Sequence, residues 1–381
     1  MVNPETLVAA LGGNAQSTTE ATRLKIQDSL RGAAEAIETP HDTMLRFFNQ
    51  QMEITVIRAG CDLGLFKTLS ASERPLSSAD LAASANANTL LVGRLLRYLA
   101  SIRVITETGK DSYASNNVSQ ALADPRIHDA MYYTFNIGGP AYQALPDFLK
   151  EHNYENRTGG KCAWQKGFNT DMDFFSWAKQ HPESLGWFQS LMSVPREGDW
   201  LDVVPFDKEA VSVGEERALF VDVGGSIGHQ SARLRHKYPQ LPGRIIVQDL
   251  EETIKNAPAV PGVEFMTHNF FNEQPIKGAR YYYLRTVLHD WEDDKGEEIL
   301  RNIVPAMAPD SQILIDEMVL PTTGAHWFSA CLDLHIYTML GAMERNVDQW
   351  KALLDRAGLR LVEVRTYMQS MSHSIIVAEP K

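Results

Sequence analysis

The stretch Leu219–Asp249, LFVDVGGSIGHQSARLRHKYPQLPGRIIVQD, decides the fold of this chain. Leu219–Val223 is apolar and β-branched apart from Asp222, the composition of a buried strand. Gly224 and Gly225 then permit backbone angles that other residues avoid. A helical segment follows from Gly228 and ends near Tyr238–Pro239. A second β-branched run, Ile245–Val247, ends on Gln248–Asp249. Strand, glycine turn, helix and strand form a βαβ unit with an acid about 20 residues beyond the glycines, where a carboxylate meets a ribose in nucleotide-binding sheets. A purely structural βαβ unit uses the same turn, because short glycine patterns also arise by chance.

The spacing discriminates among nucleotides. A dinucleotide fingerprint is G-x-G-x-x-G, whereas Ser226 makes this run G-G-S-I-G, and no phosphate loop follows any strand. An adenosine without a pyrophosphate fits better. VDVGG-x-x-G followed by a distal acid resembles the S-adenosylmethionine site of class I methyltransferases. Three later motifs, LRTVLHDW, IDEMVL and GAMERNVDQWKALLDRAGL, narrow the resemblance to the plant- and fungal-type small-molecule O-methyltransferases. It runs from about residue 40 to the C-terminus.

That family implies an α/β fold. A C-terminal Rossmann-like sheet of seven strands carries the donor, and an N-terminal, mainly helical winged-helix domain dimerises. The expected division is 1–125, 126–205 for a helical substrate-pocket segment, and 206–381 for the sheet. The strand runs are 219–223, 244–248, 263–267, 281–286, 312–316, 361–366 and 374–378. Helical stretches between them make five parallel strands. The last two runs leave no room for a helix and form an antiparallel hairpin at one edge.

At 381 residues, 44% hydrophobic and 22% charged, the chain can bury substantial cores in two or three domains. A net charge of −12 disfavours nucleic acid and anionic membrane surfaces. No apolar run reaches the ~18 residues of a membrane span, and the N-terminus has no basic region ahead of an apolar one. Cys61, Cys162 and Cys331 form neither a disulfide framework nor a CxxC pair. A soluble cytoplasmic protein is expected.

Residues 1–40 carry weak helical periodicity closed by Pro40. From Asp42 the periodicity is strong, with Gly60 and Gly64 as breaks. Residues 65–115 read as a winged helix: a capping box at Ser77–Asp80, a helix capped by Asn88 or Thr89, and a hairpin ending on Tyr113–Ala114. The helix in the DNA-reading position, residues 89–102, has only Arg94 and Arg97, so DNA binding is not expected.

Residues 125–205 are rich in aromatics, most of which pack helices together. By resemblance, Phe175, Trp177, Phe188 and Met192 line the pocket of a flat aromatic or polyketide-like acceptor, and Asp290 neighbours it. His289 is the general base, with Glu317 and Glu344 flanking it. Gly224, Gly225 and Gly228 approach the donor's methionine part. Asp249 holds its ribose, Leu250, Asn269 and Phe270 meet the adenine, and Arg285 stands near its polar end. Ser226 replaces a family glycine, which its backbone tolerates if φ stays negative. Asn269 replaces an Asp, keeping an acceptor oxygen but losing the charge.

The chemistry is consistent with these roles. A phenol of pKa ~10 is a poor nucleophile while protonated, and an imidazole of pKa ~6.5 can take its proton. No metal is needed, and no H-E-x-x-H motif is present. The expected reaction is methylation of a phenolic or enolic hydroxyl of a small secondary metabolite. The alternative is a dehydration or pericyclic reaction in the same pocket, with the donor bound but not consumed.

Overall fold

The computed structural model describes residues 19–192, 194, 198–209 and 213–381. Residues 1–18 of the expected N-terminal helix lie outside them. The chain forms two compact units. One comprises 26–153 and 163–196; the other comprises 154–162 and 197–381 with the residues before Ile26. The stretch 126–205 is therefore shared between the units.

The helical unit begins in the helix Glu20–Glu35. Thr39 then caps the helix Pro40–Asp62 in a capping box with Asp42. Pro40 thus opens a helix where the sequence pattern made it close one, since proline's fixed φ suits the first helical turn. This helix passes through Gly60, whose missing side chain admits the Phe66 ring, and stops at Gly64, which has φ +64°. One stretch carries exposed Leu45, Phe47, Phe48 and Met52, with Phe48 76% exposed. The winged-helix order follows. Ser77 and Asp80 box the helix Ser78–Ser84, and Asn88 caps Thr89–Ser101. Strands β1 (Thr106–Gly109) and β2 (Ser112–Ala114) pair antiparallel. Leu65, Phe66, Leu81, Val92, Leu96 and Leu99 form the core beneath.

In the second unit, β3 (Ala218–Val223), β4 (Arg244–Asp249), β5 (Glu264–Thr267), β6 (Tyr281–Arg285) and β7 (Gln312–Leu320) are parallel. A two-residue β8 (Arg345–Asn346) pairs with β7. The hairpin of β9 (Leu359–Met368) and β10 (His373–Pro380) completes the order β5-β4-β3-β6-β7-β10-β9. The chain winds outward from β3 and then restarts at β6 on its other side. The β3/β6 boundary is therefore the switch point where such sheets bind ligands. Both faces are covered. Val221, Tyr282, Ile315, Ile376 and Trp350 pack on one; Trp200, Phe220, Tyr283, Leu314 and Ile375 pack on the other. β7 runs to Leu320, beyond the expected 316, because β10 continues the ladder through Ser374 opposite Glu317 and His373 opposite Met318.

At the tip of β3 the backbone turns through Gly224 (φ +71°), Ser226 (φ +53°) and Gly228 (φ +82°). Ser226 is left-handed, contrary to the expected negative φ. That conformation brings its N–H to Asp249 Oδ2 at 2.9 Å. A side chain in this region costs about 1–2 kcal/mol, partly cancelled in a glycine by its greater unfolded-state freedom. Ser226→Gly should therefore raise the urea midpoint slightly and Ser226→Val should lower it. A clear loss of stability in Ser226→Gly would show that the turn is not strained.

Candidate active site

The turn after β3 carries the residues the sequence assigns to the donor. Gly224 and Gly225 donate their N–H groups to Gln248 O at 2.8 and 3.1 Å, which ties the turn to β4. A Cβ on Gly224 would lie 3.0 Å from Val287 and 3.6 Å from the Phe270 ring. Packing against Val287 and the left-handed φ of +71° together require glycine there. Asp249 is held by two backbone donors, Ser226 N at 2.9 Å and Leu250 N at 2.7 Å. Each of its oxygens keeps a lone pair for a ribose hydroxyl. Leu250 is half-exposed beside it. Asn269 Oδ1 accepts Phe271 N at 3.0 Å, so part of its acceptor capacity is spent within its own turn. Phe270 packs edge-on against Phe271, with Trp291 beyond. These residues fit an adenosine bearing an amino-acid tail.

The second cluster surrounds His289, in the single 3-10 turn Leu288–Asp290 after β6. Its Nδ1 lies 2.8 Å from Glu344 Oε1 and 3.8 Å from Glu317 Oε2, and its Nε2 lies 3.4 Å from Asp290 Oδ1. The structure thus brings together His289, Glu317, Glu344 and Asp290. Glu317 Oε1 also accepts the N–H groups of Val287 and Leu288 at 2.9 Å, so this carboxylate holds the turn that carries the imidazole. Glu317 and Glu344 are buried, and the second oxygen of each has no hydrogen-bond partner among the described residues.

Burial works to lower the His289 pKa, but Glu317, Glu344 and Asp290 outweigh it and lift the imidazole to about 10. Burial raises Glu317 to about 7 and Asp290 to about 6. Donor atoms of His289, Glu317 and Glu344 lie within 4.8 Å of one another, a set able to take a metal ion as well as a proton.

Several functional positions escaped the sequence reading. Arg345, fully buried, donates to Leu288 O at 2.9 Å, Trp291 O at 2.8 Å and Asp293 Oδ1 at 2.9 Å, clamping the loop on either side of His289. Its place directly after Glu344 was the available signal. His335, on the helix Trp327–Leu340, is held down at about 4 by burial and then by the His289 charge. Asp222 accepts Ser231 Oγ at 2.8 Å beneath Gly225 and is raised by burial to about 7. An acid inside an otherwise apolar strand was its signal.

In the helical unit, Phe188 packs against Tyr133 and Phe174 at 5.9 and 5.3 Å. Trp177 contacts Trp164, Phe168 and His181 and is half-buried. Phe175 and Met192 are more open, 39% and 48% exposed.

A parallel sheet with a glycine turn at its switch point and an antiparallel hairpin in the last position is the class I methyltransferase architecture. Residues 154–360 match the model of the O-methyltransferase domain, and residues 45–125 match that of the O-methyltransferase dimerisation domain. Demethylsterigmatocystin 6-O-methyltransferase of Aspergillus parasiticus is 39% identical over 366 residues, 96% of this chain and 95% of that protein. A solved structure of LepI in complex with SAM superposes with a TM-score of 0.94 at 39% identity, covering 99% of this chain and 98% of LepI. A structure described as a pericyclic reaction enzyme gives 0.93 at 40%, with both chains fully covered. The chain belongs to the S-adenosylmethionine-dependent O-methyltransferase family. Among the described residues no helix is long and apolar enough to cross a membrane.

The His289 cluster sets a pH dependence. Its folded pKa lies above the ordinary value, so its stabilising contribution is complete below about pH 6.5 and is lost as pH rises through 10. Between pH 8 and 10, where Glu317 and Asp290 are already ionised, wild-type stability should fall more steeply than that of His289→Gln. Parallel curves from chemical denaturation would contradict the charged imidazole.

Proposed function

We propose that this protein transfers the methyl group of S-adenosylmethionine to a phenolic or enolic hydroxyl of a small aromatic or polyketide-like secondary metabolite. It works as a cytoplasmic homodimer. The observation that carries the reading is the His289 imidazole, fixed through Nδ1 by Glu344 at 2.8 Å at the end of the sheet that bears the glycine turn. Family membership and the exposed apolar residues of the helix Pro40–Asp62, within the matched dimerisation region, support the rest.

Gly224, Gly225 and Gly228 receive the amino-acid end of the donor, Asp249 the ribose, Leu250, Asn269 and Phe270 the adenine, and Arg285 the polar terminus. The donor supplies a methyl already activated on a cationic sulfonium. Positive charge brought to this end of the sheet lowers the His289 pKa from its resting value toward neutrality. His289 then releases its Nε2 proton to solvent and takes the acceptor's proton at that nitrogen, since Nδ1 is committed to Glu344. Glu344 fixes the tautomer and, with Glu317, stabilises the imidazolium once formed. Phe175, Trp177, Phe188 and Met192 provide apolar surface for the acceptor, and Asp290 a polar contact.

A second reading keeps the pocket but not the transfer: a dehydration or pericyclic reaction with the donor retained. The likeness to a pericyclic reaction enzyme motivates it. Product mass separates the two. Methylation adds one methylene and consumes the donor, whereas the second reading rearranges the skeleton and leaves the donor intact.

His289→Ala should cost about 10²–10⁴-fold in turnover while leaving donor binding within a few-fold of wild type, the usual worth of one positioned base. Turnover that survived the substitution would refute His289 as the base. EDTA should leave the rate unchanged. Loss of activity restored by a divalent ion would instead make His289, Glu317 and Glu344 metal ligands.

A further inference from the structure

On the opposite face of the sheet from the Glu317 side chain lies a polar group of which the reading above uses only Arg285. Register sets Arg285 opposite Asp316 on β7. Arg285 Nη1 donates to Asp316 Oδ2 at 2.7 Å, the Tyr283 hydroxyl donates to the same oxygen at 2.6 Å, and the Tyr367 hydroxyl donates to Oδ1 at 2.6 Å. Asp316 and Tyr283 are fully buried, whereas the Arg285 side chain is 18% exposed. Burial acts against the Arg285 charge, but the Asp316 carboxylate outweighs it and holds the guanidinium above the ordinary arginine range.

The two phenols make this more than an ion pair. Against a bare carboxylate, Arg285 would be neutralised and its fork turned inward. Two neutral donors share the Asp316 charge, so the guanidinium is oriented by one N–H and keeps a second edge for another carboxylate. That edge stands at the switch point. Asp222 pairs with Tyr283, so two residues further on Gly224 and Arg285 stand level at adjacent strand ends.

We propose that Tyr283 and Tyr367, acting through Asp316, are positioning residues that aim Arg285 at the amino-acid carboxylate of the methyl donor. They thereby set the preference for donors that carry it. This inference rests on the donor reading above.

The test is calorimetric titration of the full-length protein with S-adenosylmethionine and with decarboxylated S-adenosylmethionine, which keeps the sulfonium and lacks only the carboxylate. Wild type should prefer the intact donor. Tyr367→Phe and Tyr283→Phe, each removing one hydroxyl, should weaken the intact donor about threefold or more, as loss of a bond to a charged group allows. Binding of the decarboxylated form should stay unchanged. In an Arg285→Gln background the same substitutions should no longer alter the ratio. Equal weakening of both ligands would make the tyrosines merely structural and overturn the inference. So would a wild type that binds the two forms alike, or a ratio that still shifts without Arg285. Wild-type protein that binds neither form would remove the donor reading itself, and the inference with it.

Discussion

A half-buried imidazole facing three carboxyl groups is the constraint around which this end of the sheet is arranged. Charges of one sign do not share a dry space unless something compensates them. Here the compensation is a proton on His289, with its Nδ1 against Glu344 and the second oxygen of Glu317 nearby. Much of the surrounding structure keeps that arrangement in register. Glu317 cradles the backbone of Val287 and Leu288, Arg345 pins the carbonyls of Leu288 and Trp291, and β10 extends β7 far enough to carry Glu317 inside a paired strand.

β7 serves both halves of the site because a strand alternates its faces. Glu317 points with Ile313 and Ile315 toward one core, where it meets His289. Its neighbour Asp316 points with Leu314 toward the other, where it meets Arg285. Two consecutive acids thus face an imidazole on one side and a guanidinium on the other. Displacing this strand by one residue would exchange them.

The sheet was legible because its strands are short β-branched runs broken by glycine and proline, and because the final pair leaves no room for a helix. The assignment of His289, Glu317 and Glu344 to one neighbourhood was legible from the ends of two successive strands and, for Glu344, from its place before a helix. Side-chain reach was not. Arg345 spans three partners from one backbone position, and His335 arrives from a helix whose nearly uniform apolarity gives no face to read. The sign of φ at Ser226 depends on a hydrogen bond to Asp249, on another strand, which periodicity does not encode. Pro40 was misplaced for a related reason: proline ends one helix and begins another equally well, and only the Thr39–Asp42 box decides between them.

The central claim is that the imidazole–carboxylate cluster is charged at rest and is neutralised by the arrival of a cationic donor. Nitrogen NMR of the histidine side chains, followed through pH with and without S-adenosylmethionine, tests it most directly. The His289 resonance should titrate near pH 10 in the free protein and about 1–3 pH units lower with the donor bound. A resonance that titrates near the ordinary ~6.5 in the free protein, or one indifferent to the donor, would contradict the account.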